Sequence, residues 1–71
     1  MLELDLLLEP FVRQRYAQLD AQTQALYRRL LDCEDQQLFD WFLKKQPVPD
    51  TELAAMVGEI QLFQRERELN R

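Results

Sequence analysis

The order of apolar and polar positions predicts a helix from Leu2 to about Leu19. Apolar side chains recur three and four positions apart along this segment. The face consists of Leu4, Leu7, Leu8, Phe11, Val12, Arg15, Tyr16 and Leu19. Pro10 lies inside the segment and removes one backbone hydrogen bond. We predict one helix bent near Pro10 rather than two short helices, because Leu8 and Glu9 are poor caps for a new start.

A second helix is predicted after Asp20, whose carboxylate can accept hydrogen bonds from the amides of the first turn. Its apolar stripe consists of Thr23, Leu26, Tyr27, Leu30 and Leu31. The helix ends in residues 32–35, three of which are acidic. Acidic side chains are unfavourable at a helix C-terminus but favourable at an N-terminus. Asp35 is therefore predicted to be the N-cap of a third helix that runs to about Lys45.

The third and fourth helices are predicted from a broad apolar arc and from a regular stripe. The arc consists of Leu38, Phe39, Trp41, Phe42 and Leu43, and we expect its aromatic members to lie in the core of so small a domain. Residues 46–50 form a proline-containing loop, and Asp50 or Thr51 caps the fourth helix. The stripe of this helix consists of Leu53, Met56, Val57, Ile60 and Phe63. Gly58 costs about 1 kcal/mol relative to alanine, so we predict that a neighbouring helix approaches it closely.

These elements predict an all-α fold, a small antiparallel bundle of four helices. A chain of 71 residues supports one hydrophobic core, so residues 1–71 form a single domain. The short connections make successive helices antiparallel neighbours. Leu2 and Leu6 are left without a partner in this arrangement, and an extra short helix would cover them.

Composition and charge exclude several function classes. The sequence contains no histidine and no serine, which excludes serine triads and sites that contain histidine. Cys33 is the only cysteine, so it forms neither a thiolate zinc site nor a disulfide within the chain. Carboxylates remain as candidate catalytic groups, but they are scattered over solvated faces, which disfavours a hydrolase. A net charge of −4 opposes binding to nucleic acid or to anionic membranes, so we expect a protein partner.

Targeting signals are not visible. No apolar run approaches the roughly 20 residues that a membrane-spanning helix needs. The leading leucines lack a basic flank and alternate with acidic residues, so they do not form a signal peptide. We expect a reducing compartment and no membrane insertion.

An ordered series of segments resembles one known family along nearly the whole chain. The segments are MLELDLLLEPF, RRLLDCED, LFDWF, a proline-containing loop and ELAAMVGEIQ. This series is similar to the FAD assembly factors, called SdhE in bacteria and succinate dehydrogenase assembly factor 2 in mitochondria, whose full fold has five helices. Members carry an Arg-Gly-x-x-Glu motif after a short helix. Glu3 falls on the motif's glutamate, so the Arg-Gly pair would lie immediately upstream of Met1. Either the sequence starts late or this member has lost the pair, and we expect a late start.

The resemblance implies a chaperone-like assembly factor and not an enzyme. Such a factor binds the flavoprotein subunit of succinate dehydrogenase or fumarate reductase, called the client below, and promotes covalent attachment of FAD to a client histidine. It implies that FAD is attached to the client and that no cofactor is bound tightly by this chain. It also implies a free monomer in the bacterial cytoplasm or, in a eukaryote, the mitochondrial matrix. The alternative from another class is a generic helical interaction or homodimerisation domain.

Five acidic residues are the candidate partner-binding residues. Glu3 is a favourable acid in a first helical turn, and the resemblance favours its contact with the client. Asp5 lies two residues on and cannot share a helical face with Glu3. Asp32, Glu34 and Asp35 either cap helices in a solvated loop or form an anionic patch for a basic rim on the partner. Both interpretations of this acidic turn remain open.

Overall fold

The computed structural model describes residues 2–69, which form four α-helices and no strand. The helices are α1 (Leu2–Arg15), α2 (Ala21–Leu31), α3 (Asp35–Phe42) and α4 (Thr51–Leu69), and a 3₁₀ turn follows α1 at Tyr16–Gln18. The predicted all-α bundle of four helices is confirmed. The single-domain assignment also covers Met1, Asn70 and Arg71, which lie outside the described residues.

The first helix continues through Pro10, as predicted, and ends earlier than predicted. It ends at Arg15 rather than Leu19 because the next residues tighten into the 3₁₀ turn, where the Leu19 N–H donates to the Tyr16 carbonyl at 3.1 Å. Side chains of α2 hold this turn in place. Gln24 Nε2 donates to the Tyr16 carbonyl at 2.9 Å, and Arg28 Nη1 donates to the Tyr16 hydroxyl at 2.7 Å. Polar contacts with α2 thus fix the end of α1.

The N-cap prediction is confirmed for α2 and wrong for α3. Asp20 Oδ1 accepts a hydrogen bond from the Thr23 N–H at 2.8 Å, and bonding to Thr23 lowers the pKa of Asp20. In α3 the N-cap is Glu34, and Asp35 is the first helical residue. The Gln37 side-chain oxygen accepts from the Glu34 N–H at 3.1 Å, which holds the start one residue earlier than predicted.

The third helix ends at Phe42, three residues before the predicted end at Lys45. Lys45 has a φ of 57°, in the left-handed region, and therefore cannot continue a right-handed helix. The N–H of Gln46 turns back and donates to the Asp40 carbonyl at 2.9 Å. This bond satisfies a carbonyl of the last helical turns and fixes the path of the chain at Lys45.

Asp50 joins the start of α4 to the last turn of α2. Its Oδ1 accepts from the N–H groups of Glu52 at 2.9 Å and Leu53 at 3.0 Å, as predicted for an N-cap. Its Oδ2 pairs with Arg29 of α2. The bond from the Leu53 N–H, followed by the nearby Arg29 charge, holds the pKa of Asp50 below its usual value. The proline-containing loop is thereby tied to the bundle.

The core lies where α1, α2 and α3 meet α4. It consists of Leu4, Leu8, Phe11, Tyr27, Leu30, Leu38, Trp41, Phe42, Leu53, Met56, Val57, Ile60 and Phe63. The whole predicted stripe of α4 is buried, and so are Trp41 and Phe42, whereas Phe39 is half-buried. The rings of Phe11 and Phe63 meet edge to face with centroids 5.5 Å apart, which joins α1 to α4.

Gly58 does not support a helix contact, contrary to the prediction. It is exposed on α4, and a Cβ atom placed on it would meet no atom within 4 Å. Gly58 lies off the core stripe in the sequence pattern. Whether another helix lies near it depends on the tertiary packing. Within the described chain, no element approaches this position.

Candidate functional site

The outward side of α1 carries exposed leucines beside carboxylates. Leu2 is 68% exposed and Leu6 is 64% exposed, and the two lie one helical turn apart. Asp5 and Glu9 are exposed three positions after Leu2 and Leu6, so they lie on the same side of the helix. The opposite side of α1 packs into the core. The predicted uncovered leucines are therefore present in the structure.

Glu3 lies at the flank of this leucine strip. It is exposed in the first turn of α1, three positions before Leu6, whereas Asp5 lies on the far side of Leu2. Among residues 2–69, the carboxylates of Glu3 and Asp5 make no ion pair or side-chain hydrogen bond. Both are accessible to a partner. We call Leu2, Glu3, Asp5, Leu6 and Glu9 the amino-terminal face, a strip of two leucines with Glu3 on one edge and Asp5 on the other, so that the two carboxylates do not adjoin.

The acidic turn between α2 and α3 has a visible structural role. Asp32, Glu34 and Asp35 are exposed. The Asp32 N–H donates to the Arg28 carbonyl at 3.2 Å and closes α2, and Glu34 caps α3. Within residues 2–69, Asp32 and Glu34 form no hydrogen bond or ion pair with the amino-terminal face. The turn joins α2 to α3 and the face lies on α1, so they are two candidate surfaces on different elements, and partner binding by either remains a prediction.

Acidic side chains and Cys33 are the groups of this chain that could bind a metal ion or react as a thiol. No group of three or more histidine, cysteine, aspartate or glutamate side chains in residues 2–69 could hold a metal ion. Cys33 is half-buried, and its Sγ lies 3.9 Å from the Arg29 carbonyl oxygen. No helix in the same range is both long and apolar enough to span a bilayer.

A cleft between α1, α3 and α4 was not predicted from the sequence. This basic cleft, of about 370 Å³, has Leu7 and the buried Phe42 on its apolar side and Lys45 and Arg65 on its charged side. In the sequence, Lys45 marks only the predicted end of the third helix, and Arg65 alternates with acidic residues, so neither indicates a site by itself. Lys45 and Arg65 are 20 positions apart, and no short-range pattern indicates that they meet.

Comparisons with known proteins identify related chains. Residues 1–64 match the family model described as "Flavinator of succinate dehydrogenase". The FAD assembly factor SdhE of Pseudomonas aeruginosa is 53% identical over 60 residues, which cover 84% of this chain and 71% of the relative.

Two further relatives agree with this match. The SdhE of Pseudomonas syringae pv. syringae is 54% identical over 84% of this chain and 71% of its own. The SdhE of Shewanella oneidensis is 48% identical over 84% of this chain and 73% of its own. No solved structure matches the chain. The resemblance predicted from the residues is confirmed, and these relatives are named as assembly factors and not as enzymes.

Proposed function

Because this chain belongs to the family described as flavinators of succinate dehydrogenase, we propose that it binds the flavoprotein subunit of that enzyme or of fumarate reductase. In this proposal the chain promotes covalent attachment of FAD to a histidine of the client. The flavin and the residue that bonds to it both belong to the client. The chain contributes binding and orientation.

The amino-terminal face supports this proposal most directly. Two leucines that lie one helical turn apart and are each about two-thirds exposed are costly to leave in water. Covering each of them would contribute about 1 to 2 kcal/mol to a complex. The carboxylates of Glu3 and Asp5 are not neutralised by side chains of residues 2–69, so they are available to basic groups of a partner. Such charges add specificity and association rate more than affinity.

A physical route from binding to flavin attachment needs no catalytic residue in this chain. Bond formation requires the flavin and the client histidine to be held close and correctly aligned. If the chain binds better to the client conformation in which they are aligned, it raises the population of that conformation. The entropic part of the barrier then falls without added chemistry. The absence of histidine from the sequence is consistent with this division of roles.

Replacing Glu3 by glutamine tests the proposal. Glu3→Gln removes one charge from an exposed side chain, so we expect unchanged helicity and melting temperature but weaker client binding and slower flavinylation. Glu66→Gln is the matched control, because it makes the same change at an exposed position of α4. Calorimetric titration measures binding, and in-gel flavin fluorescence measures attachment. Equal binding and flavinylation by the two variants would contradict the assignment of Glu3.

Self-association is the second candidate function. Leu2 and Leu6 of one copy could pack against Leu2 and Leu6 of another copy. Light scattering separates the two functions. An assembly factor is expected to be a monomer that forms a one-to-one complex with the client. A stable homodimer whose mass is unaffected by the client would favour the interaction-domain alternative.

A further inference from the structure

Among residues 2–69, the two cations that lack a partner both line the basic cleft. In the described part of the chain, Lys45 and Arg65 have no carboxylate, hydroxyl or ring partner. Every other described cation has one: Arg13, Arg29 and Lys44 pair with carboxylates, Arg28 bonds to the Tyr16 hydroxyl, and Arg15 and Arg67 lie over the Phe63 ring. Both unmatched cations line one cleft in a chain of net charge −4.

The backbone fixes where Lys45 stands. A left-handed conformation costs a residue with a side chain roughly 1 to 2 kcal/mol, and glycine would adopt it freely. The sequence nevertheless has lysine here, with its φ at 57° and the following N–H bonded to the Asp40 carbonyl. The ammonium group is thereby attached to a defined point at the edge of the cleft and not to a flexible loop.

An open groove on α4 continues from the basic cleft. The groove has a volume of about 220 Å³ and is lined by Gly58, Gln61, Leu62 and Arg65. Gln61 and Arg65 also line the basic cleft, so the two depressions are contiguous. Leu62 is 52% exposed, and no atom lies within 4 Å of a Cβ placed on Gly58. The groove therefore has an apolar side chain and room for close backbone approach.

We propose that the basic cleft and this groove together bind an acidic segment of the client flavoprotein. Carboxylates of the segment pair with Lys45 and Arg65, an apolar side chain covers Leu62, and the backbone of the segment passes over Gly58. This inference rests on the proposed function and adds a second contact beside the amino-terminal face, since Glu3 of that face lies one helical turn before Leu7 of the cleft.

The surroundings of the cleft favour carboxylates over a phosphate group. One helix C-terminus adjoins it, since α3 ends at Phe42, which lines the cleft, and helix C-termini carry negative partial charge. Glu68 also lines the cleft. These groups oppose a compact dianion more than a single carboxylate on a peptide. The apolar side formed by Leu7 and Phe42 suits the side chains of a protein segment.

Charge reversal at Arg65, measured against a matched control, tests the proposal. Arg65→Glu and Lys45→Glu are compared with Arg67→Glu, which makes the same charge change two positions along α4. Two positions turn a helix by about 200°, so Arg67 faces away from the cleft. The purified client is titrated with each full-length variant at low and moderate salt. We expect Arg65→Glu and Lys45→Glu to weaken binding about three- to tenfold and to reduce its dependence on salt. Arg67→Glu should bind the client with nearly the affinity of the parent chain.

A second variant tests the groove independently of charge. Gly58→Gln places a helix-favouring side chain where the free chain is open, so melting is expected to rise or stay unchanged. Binding to the client is expected to weaken, because the new side chain occupies the path of the segment. A variant that is at least as stable as the parent and yet binds more weakly would identify a contact surface.

Each outcome has a distinct meaning. If the parent chain does not bind the client, the proposed function is refuted, and so is the proposal that an acidic client segment occupies the cleft. If the parent binds and Arg65→Glu behaves like Arg67→Glu, the proposed function stands and the second contact is refuted. Amide NMR shifts at Lys45 and Arg65 on adding inorganic phosphate alone would make the cleft a phosphate site and overturn the choice of a carboxylate segment.

Discussion

Replacing Gly58 by alanine should make the free chain more stable. Gly58 is the only glycine of the sequence and lies within α4, with φ in the ordinary negative range. Glycine in a helix interior is less favourable than alanine by about 1 kcal/mol, partly because it leaves the unfolded chain more freedom. The added methyl group would meet no atom within 4 Å, so no steric cost offsets this gain.

The expected gain is about 0.5 to 1 kcal/mol, which for a domain of this size corresponds to a rise in melting temperature of about 3 to 6 °C. Thermal unfolding followed by far-ultraviolet circular dichroism measures the shift. Urea unfolding measures the free energy directly, and its slope should not change, because the substitution leaves the buried surface unaltered.

Ala55→Gly is the matched control. Ala55 is exposed on the same helix, three positions earlier, and its replacement should lower stability by about the amount that Gly58→Ala raises it. A neutral or destabilising effect of Gly58→Ala, with the expected loss in the control, would refute the reasoning. It would mean that the surface at Gly58 is already covered in the free protein, and light scattering would show whether a second copy covers it.

Two further predictions concern the core. Trp41→Ala, at a position only 8% exposed, should cost about 3 to 5 kcal/mol and unfold most of a domain this small, with loss of helical circular dichroism at room temperature; native-like melting would contradict the core assignment. Burial raises the pKa of Tyr27 to about 12 from an ordinary 10, so the folded chain holds this proton more tightly than the unfolded chain. This contribution to stability is fully present below pH 10 and is lost as the pH rises toward 12. Tyr27→Phe should remove this alkaline dependence. Melting temperatures measured across this pH range check the prediction.

Features set by neighbouring residues could be predicted from the sequence. Asp20 and Asp50 cap their helices with side chains two or three positions from the amides they bind. Core stripes follow from helical spacing alone. The error at Asp35 was also local, since Glu34 and Gln37 have the spacing of an N-cap and its N3 partner, a signal that was present but not used.

Features set by tertiary packing could not be predicted in this way. α3 ends early because Lys45 adopts a left-handed backbone conformation, and a lysine in the sequence does not indicate that conformation. The open surface at Gly58 depends on where three other helices lie. The basic cleft joins residues from α1, from α3 and the turn after it, and from α4. Residue spacing carries little information about any of these arrangements.

The two proposed contacts differ in charge, and this difference bears on how so small a chain could orient a client. Leu6 belongs to the amino-terminal face and Leu7 lines the basic cleft, and successive helical residues point about 100° apart. The two surfaces therefore meet along α1, one edged with carboxylates and the other with cations. A client turned the wrong way would place like charges together at both surfaces, which costs free energy. Exposed leucines would then supply most of the affinity, while the opposed charges select the orientation on which flavin attachment depends.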